Sequence, residues 1–450
     1  MTTSLHRIVG PVLTGHDADF AAEISGYNLA VTHRPEVAVG ATRTADVAAA
    51  VRYAADAELP VGVQATGHGA VAEITGVLVS TRRMDELVVD PAARTATIGA
   101  GVKWRRVIDE AARFGLAPLN GSASDVGAIG YTVGGGLPVL GRTYGFAADH
   151  VVSFELVTAD GAVHEVDRDT DPDLFWAVRG GKGNFGVVTR LTVELVPVAT
   201  LYGGAIFYPG ADSARLLREY GEWVSTLPET TSTSISLLRL PPIPEIPEPL
   251  RGQFVTHLRY AHLGDPEAGA LLLEPMRRAA TPMLDGVREM PYTAVDTIHQ
   301  DPEFPVPFYE RGALLPNLPA DVVDTMLDLA GPDVETPLLM LELRHLGGAL
   351  ARAPEVPNAV GARGAAYGVF AVGVLMPEIA AVVPGLVDAV PAALAGHTVG
   401  DFVNFHGSPR GADDMAACWP TTIHRRLVDL KQEYDPANLF RFGHALNPAA

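Results

Sequence analysis

One cysteine in 450 residues, Cys418, excludes an internal disulfide and any cysteine-based metal cluster. Between Ala417 and Trp419 it reads as a small buried hydrophobe. Basic side chains are scarce: 33 against 53 acidic ones give a net charge of -20, which repels phosphate backbones and anionic lipid. Nucleic acid and membrane partners are therefore not expected. No apolar run reaches the ~18 residues of a spanning helix, and Met1 to Asp17 lacks the charged head, apolar run and cleavage site of a signal peptide. The expectation is a cytoplasmic protein. A strand followed by G-x-G-x-x-G is absent at the start, which disfavours a dinucleotide fold of that type. No internal repeat stands out.

What is present fits an ordinary globular chain, 48% hydrophobic and 19% charged, long enough for two cores. Residues 36–100 alternate extended and helical signals. Glu36 to Gly40 reads as a strand, Thr44 as the cap of an Ala-rich helix to about Glu58, Val61 to Gln64 and Val77 to Ser80 as further strands. Leu87–Val89 and Thr95–Ile98 alternate, and Lys103 to Phe114 reads as a helix. Val151–Thr158 and Ala162–Val166 flank Asp160-Gly161 as a hairpin, and Val187 to Val196 is a strand ending at Pro197. Beyond residue 200, strand-like runs at Ser234–Arg239, Leu338–Arg344 and Ala366–Leu375 alternate with proline-rich loops at 241–249 and 302–307. Helices are expected near 212–225, 266–279, 320–330 and 377–394.

Two glycine-bearing loops in the first part carry the chemical information. One is Gln64-Ala65-Thr66-Gly67-His68-Gly69-Ala70. The other runs from Gly121 through Val126-Gly127, Gly130-Tyr131 and Gly134-Gly135-Gly136. Glycine lets backbone N–H groups approach a diphosphate with no side chain in the way.

Together with Arg34-Pro35, Arg142-x-Tyr144-Gly145, Asp173-Leu174-Phe175-Trp176 through Gly180-Gly181-x-Gly183-Asn184-Phe185-Gly186-Val187-Val188-Thr189, and Tyr434-Asp435-Pro436-x-Asn438-x-Phe440, the loops occur in an ordered succession. That succession resembles the berberine bridge enzyme-like oxidoreductases of the vanillyl-alcohol oxidase class. The resemblance implies an α+β, two-lobe FAD-binding PCMH-type fold: an FAD-binding domain at 31–200, an antiparallel-sheet substrate domain backed by helices at 201–400, and a segment at 401–450 returning to the FAD lobe. It implies FAD attached covalently to the ring of His68. It also implies cofactor contacts from Ala65, Thr66, Gly67, Gly69, Gly121, Val126, Gly127, Gly130, Tyr131, Gly134, Gly136, Gly186, Val188 and Asn404. The register set by Val126-Gly127 puts Ala123 where many relatives carry a second attaching cysteine, so a single attachment is expected. The usual R-S-G-G-H is here Gln64 to His68, without the arginine.

Catalysis is harder to assign. The family's Y-x-N strand resembles Phe402-Val403-Asn404, and Phe402 has no proton to exchange. The strand containing Glu342, Arg344 and His345 resembles the one facing the flavin, and period-two alternation puts Glu342 and Arg344 on one face with His345 on the other. Desolvation beside a flavin is expected to raise the Glu342 pKa toward that of a general base, unless the residue is only half of a surface ion pair. Tyr144 and Tyr131 are further candidates to reach the ring. The expected reaction is hydride removal from a small organic substrate, a secondary metabolite or drug-like compound, with O2 reduced to H2O2. Valine at position 126, where bulkier leucine accompanies dehydrogenases among plant relatives, agrees with an oxidase. A flavin oxygenase or dehydrogenase on the same scaffold, or a drug-sequestering protein, are the alternatives.

Overall fold

The computed structural model describes residues 5–447. A four-stranded sheet opens the chain, ordered Val12–Leu13, Val37–Gly40, Val77–Ser80, Val61–Gln64, with the last three strands parallel. The helix Thr44–Asp56 follows the second of these strands, and its residues Val47, Ala48, Ala50, Val51 and Ala54 enter the core. Thr44 is the first helical residue rather than the cap; its hydroxyl donates to Glu155 Oε1 at 2.6 Å instead. A five-stranded antiparallel sheet lies alongside, in the order Leu87–Asp90, Thr95–Gly99, Val187–Glu194, Val151–Val157, Val163–Asp167. The helix Trp104–Ala112 buries Trp104, Val107, Ile108 and Ala111, the i, i+3, i+4, i+7 stripe that fixes it on the same core.

The rest is dominated by an eight-stranded antiparallel sheet. Its path runs Leu284–Asp285, Thr200–Pro209, Phe254–His262, Thr231–Arg239, Leu338–His345, Tyr367–Val374, Phe308–Leu315. Arg288–Pro291 also pairs with Thr200–Pro209. One face is covered by the helices Ser213–Trp223, Pro266–Ala279, Ala320–Ala330 and Val383–Ala393, which form a second core with Ile235, Leu258, Leu341 and Leu343. The last of these helices starts six residues later than the apolar pattern suggests, because Pro377 to Val382 form turns and Pro384 opens the first helical turn. The opposite face of the sheet carries Glu310, Gly312, Glu342, Arg344 and Phe370 toward the first lobe.

Met290, Tyr292, Val295 and Ile298 pack into the first core although they lie inside the second half of the chain. The C-terminal helix Thr421–Tyr434 does the same through Leu427 and Leu430. Its buried Lys431 ammonium donates to Asp435, to the Asn184 carbonyl and to the Phe440 carbonyl at 2.6–3.0 Å. Asn184 in turn donates to the Gly181 and His444 carbonyls and accepts from Leu446 N. The Tyr434 to Phe440 motif thus locks the glycine turn at 180–186 in place. Cys418 is buried, as its neighbours indicate.

Candidate functional site

The first loop leaves the buried strand Val61–Gln64 and folds against the segment at 26–28: Tyr27 N donates to the Thr66 carbonyl and Asn28 N to the Gly67 carbonyl. Gly67 has φ +77°, and a Cβ there would stand 2.6 Å from Gly26 Cα, so only glycine fits. Ala65 accepts from Arg82 Nε at 3.1 Å. Gln64 does not substitute for the missing arginine as a loop donor to a ligand. It is buried, its amide donates to the Ile24 and Ser25 carbonyls, and its Oε1 lies 2.8 Å from His33 Nε2. Because His33 Nδ1 accepts from Ile74 N, the proton stands on Nε2 and Gln64 accepts it.

His68 stacks on Tyr27, ring centroids 3.7 Å apart. Its Nδ1 is 2.9 Å from the Thr66 hydroxyl. Its Nε2 is buried without a hydrogen bond; Asp125 Oδ2, 3.2 Å away, is out of line for one. When Nδ1–H donates to Thr66, the free lone pair of the imidazole is on that unpartnered nitrogen.

The second loop meets the first at Gly127, where a Cβ would stand 3.5 Å from Ala65 and Thr66. Val126 is half-buried and fixed by its carbonyl, which accepts from Trp104 N. The Tyr131 ring fills the space left by two glycines: a Cβ on Gly121 or Gly136 would come within 2.9 or 2.4 Å of it. Burial raises the Tyr131 pKa well above its usual value, and its hydroxyl has no partner. Asn404 donates from Nδ2 to the Tyr131 carbonyl, while its Oδ1 is buried and unpartnered. A Cβ on Gly134 would stand 2.0 Å from that oxygen. The loops containing His68, Tyr131 and Asn404 are thereby brought together. Gly186 stands just before the strand Val187–Glu194, where a Cβ would be 2.5 Å from the Val157 carbonyl oxygen, and Val188 pairs with Leu156 within the five-stranded sheet.

FAD can be tested against this arrangement. Gly69 in the first loop, Gly130 in the short helix Ala128–Thr132 and Gly183 in the turn Lys182–Asn184 have nothing within 4 Å of where a Cβ would stand, so backbone from three parts of the lobe faces open space. His68 Nε2, the Tyr131 hydroxyl and Asn404 Oδ1 are buried polar atoms without partners. Such atoms in a folded protein call for a ligand or water. These residues fit the cofactor.

The catalytic candidates separate. Glu342 and Arg344 do share a face, with Arg344 Nη2 3.0 and 3.1 Å from the two carboxylate oxygens. Arg259 Nη1 is 2.9 Å from the same carboxylate. The expected rise in the Glu342 pKa is overturned: although burial pushes upward, Arg344 and Arg259 hold the carboxyl far below its usual range. His345 is brought down to about 3 by burial and by Arg142, whose Nη1 is 3.0 Å from its Nε2. Burial raises the Tyr144 pKa, and its carbonyl accepts from His150 Nε2.

A residue the sequence pattern did not single out is better placed. Glu310, opposite Val372, shares the lobe-facing side of the sheet with Gly312 and Phe370. Among the described residues its half-buried carboxylate has no hydrogen-bond or ion-pair partner. Burial pushes its pKa up to about 8, against the pull of Lys182 and Arg311. Lys182, with φ +61° in the glycine turn and its Cε close to Gly134, is brought down to about 8 by burial. Phe146, Phe402, Phe405 and Phe370 wall the adjoining cleft, which reaches Glu342, Arg344 and Asp401.

Since Glu342 separates two buried guanidinium groups, Glu342→Gln should cost about 3–5 kcal/mol of stability, the range for breaking a buried ion pair. The urea midpoint reads this, and an unchanged midpoint rejects it. The folded carboxyl is depressed, so its contribution is present above the unfolded pKa and lost as pH falls into strong acid.

Comparison with known proteins matches residues 35–167 to an FAD-binding domain. The (R)-6-hydroxynicotine oxidase of Paenarthrobacter nicotinovorans is 38% identical over 191 residues, 42% of each chain. An FAD-linked oxidoreductase of Dictyostelium discoideum is 27% identical over 438 residues, 94% of this chain and 91% of that one. The crystal structure of 6-hydroxy-D-nicotine oxidase from Arthrobacter nicotinovorans superposes with a TM-score of 0.86 at 26% identity, covering 98% of both chains. The chain carries an FAD-binding domain and over nearly its whole length resembles FAD-linked oxidoreductases. The glycine loops at 64–70 and 121–136 lie within the matched FAD-binding domain. Among the described residues no helix is long and apolar enough to cross a membrane.

Proposed function

We propose that this oxidoreductase is an oxidase of a small organic molecule, with FAD held covalently by His68 and O2 as the final acceptor, giving H2O2. The observation that carries the reading is the buried, unpartnered Nε2 of His68 beside the open glycine loops. FAD, when bound, supplies the two-electron acceptor. The chain supplies the rest. Tyr27 and Thr66 fix the His68 ring, Asn404 and Tyr131 offer polar atoms toward the cofactor, and the four phenylalanines keep water from the cleft. Glu310 takes the proton from a substrate O–H or N–H, and Lys182 balances the charge that results. The substrate is read as a secondary metabolite or drug-like compound, in keeping with the apolar wall of the cleft.

The test is to add candidate substrates without air, watch the yellow colour bleach, and readmit O2. Recovery with one H2O2 per substrate supports an oxidase. Oxygen from O2 appearing in the product marks an oxygenase, and colour that stays bleached in air marks a dehydrogenase. Val126 bears on this step, because O2 needs space at the cofactor and one added methylene fills a small void in a packed interior. Val126→Leu should slow reoxidation in air by about tenfold or more, the low end of the effect of one methylene in a pocket, while leaving anaerobic reduction within a factor of about three. Equal reoxidation rates in both proteins reject the steric role.

A further inference from the structure

The polar half of the eight-stranded sheet has no part in the proton step. Strand register places Phe207, His257, Ser236 and Glu342 in one row across four strands, and Ala205, Arg259, Ser234 and Arg344 in the next. His257, Ser236, Ser234 and Arg259 are each at least 95% buried, and His299 on the neighbouring loop is 91% buried. Yet both ring nitrogens of His257, the Ser236 hydroxyl, His299 Nδ1 and Nε of Arg259 have no hydrogen-bond partner among the described residues. Burying polar groups without partners opposes folding. A chain that keeps them keeps them for something they bind.

Arg259 shows what that is. Its Nη1 points at Glu342 Oε1, 2.9 Å away. The opposite edge, Nε with Nη2, is the side that grips a carboxylate with two parallel hydrogen bonds. Among the described residues the hydrogen-bond partner at that edge is the thioether of Met340, 3.4 Å from Nη2. The surrounding charges leave room for an anion. Glu342 neutralises one of the two arginines, and burial pushes Asp301, the other carboxyl facing them, toward its neutral form. His257 and His299 are neutral, since burial and the nearby arginines hold them well below the usual histidine range, so each offers one N–H and one lone pair. A cleft lined by Ser234, Arg259, His299, Arg344, His345 and Arg142 opens beside the row.

We propose that this row is a recognition subsite for a carboxylate carried by the substrate, gripped by the Nε/Nη2 edge of Arg259 and flanked by Ser234 and His299. The subsite rests on the reading that the cleft takes a small substrate, and it names that substrate's class: an organic acid whose carboxylate rests on Arg259.

Calorimetric titration of the flavin-loaded protein with benzoate, and with benzyl alcohol as the uncharged counterpart, tests this. Benzoate should bind at least tenfold more tightly than benzyl alcohol. Arg259→Lys keeps the charge but loses the fork, and should weaken benzoate at least tenfold while leaving benzyl alcohol unchanged. Ser234→Ala is the second variant, should the lysine protein not fold, and should weaken benzoate about three- to tenfold. Equal binding of the two probes, or wild-type benzoate affinity in the folded variants, overturns the subsite. The titration needs no turnover. A yellow, reducible protein blind to benzoate loses the subsite alone, whereas a protein without flavin loses the oxidase reading and still reports on the subsite.

Discussion

Glu310→Gln should lower kcat/KM by about 100-fold or more, the range for losing a general base, and should abolish the rise of activity with pH. The other candidates on the cleft are poorly suited to take a proton near neutrality. Glu342 is held so far down by two arginines that its carboxylate is a weak base. His345 is brought down to about 3, Tyr131 and Tyr144 are pushed up and keep their protons, and Phe402 has none to exchange. Glu310, pushed up to about 8, is poised at the pH where an acceptor combines availability with driving force. The wild-type profile should therefore climb with pH and level off above about 8. Lys182→Met should move that limb to higher pH, because the ammonium favours the ionised carboxylate. The linkage has the matching sign. A folded pKa raised above the unfolded value gives stability that is full in acid and is lost as pH rises through about 8, a loss the Gln protein should not show. Unchanged anaerobic reduction kinetics in Glu310→Gln, with the pH limb intact, would rule the role out.

Glu310 was invisible in the sequence for a physical reason. It lies in Phe308–Leu315, a strand preceded by the proline-rich loop at 302–307, and nothing local marks which face meets the other lobe. The raised pKa comes from burial in the folded protein, against the pull of Lys182, 128 positions earlier, and neither influence is visible in the local sequence. Glu342 failed in the converse way. Its pairing with Arg344 follows from period two, but Arg259 comes from a strand two places away in the sheet, and its guanidinium adds to the pull of Arg344 against burial. What could be read locally was read well. Val77–Ser80, Ala320–Ala330 and Pro266–Ala279 form where periodicity and caps place them. The glycine loops could be recognised because close backbone approach leaves a residue-type mark, as at Gly67 and Gly134. Tyr27, which stacks on His68, carries no such mark: its role depends on a strap that meets the loop about 40 residues along the chain.

His68→Ala should abolish the acid-stable yellow colour while leaving a protein that still binds FAD. The two parts of the expectation have separate causes. The backbone of the glycine loops, open at Gly69, Gly130 and Gly183, does not depend on the imidazole, so noncovalent binding survives with lower affinity. The covalent link does depend on it, because among the loop residues at 65–70 only His68 carries a nucleophilic ring nitrogen, and one of its nitrogens is buried without a partner. After acid denaturation the wild-type protein should stay yellow, and mass spectrometry should find the flavin on the peptide containing His68. The Ala protein should release all of its flavin. Loss of the ring also removes the stacking partner of Tyr27, whose hydroxyl is tied to the Pro302 carbonyl at 2.6 Å, so the strap itself should hold and the fold should persist. A covalent link makes the cofactor a stronger oxidant, so the Ala protein, reconstituted with free FAD, should be reduced by substrate at least tenfold more slowly. Flavin that remains bound to His68→Ala after acid denaturation would remove His68 from the linkage and would require a different attaching residue.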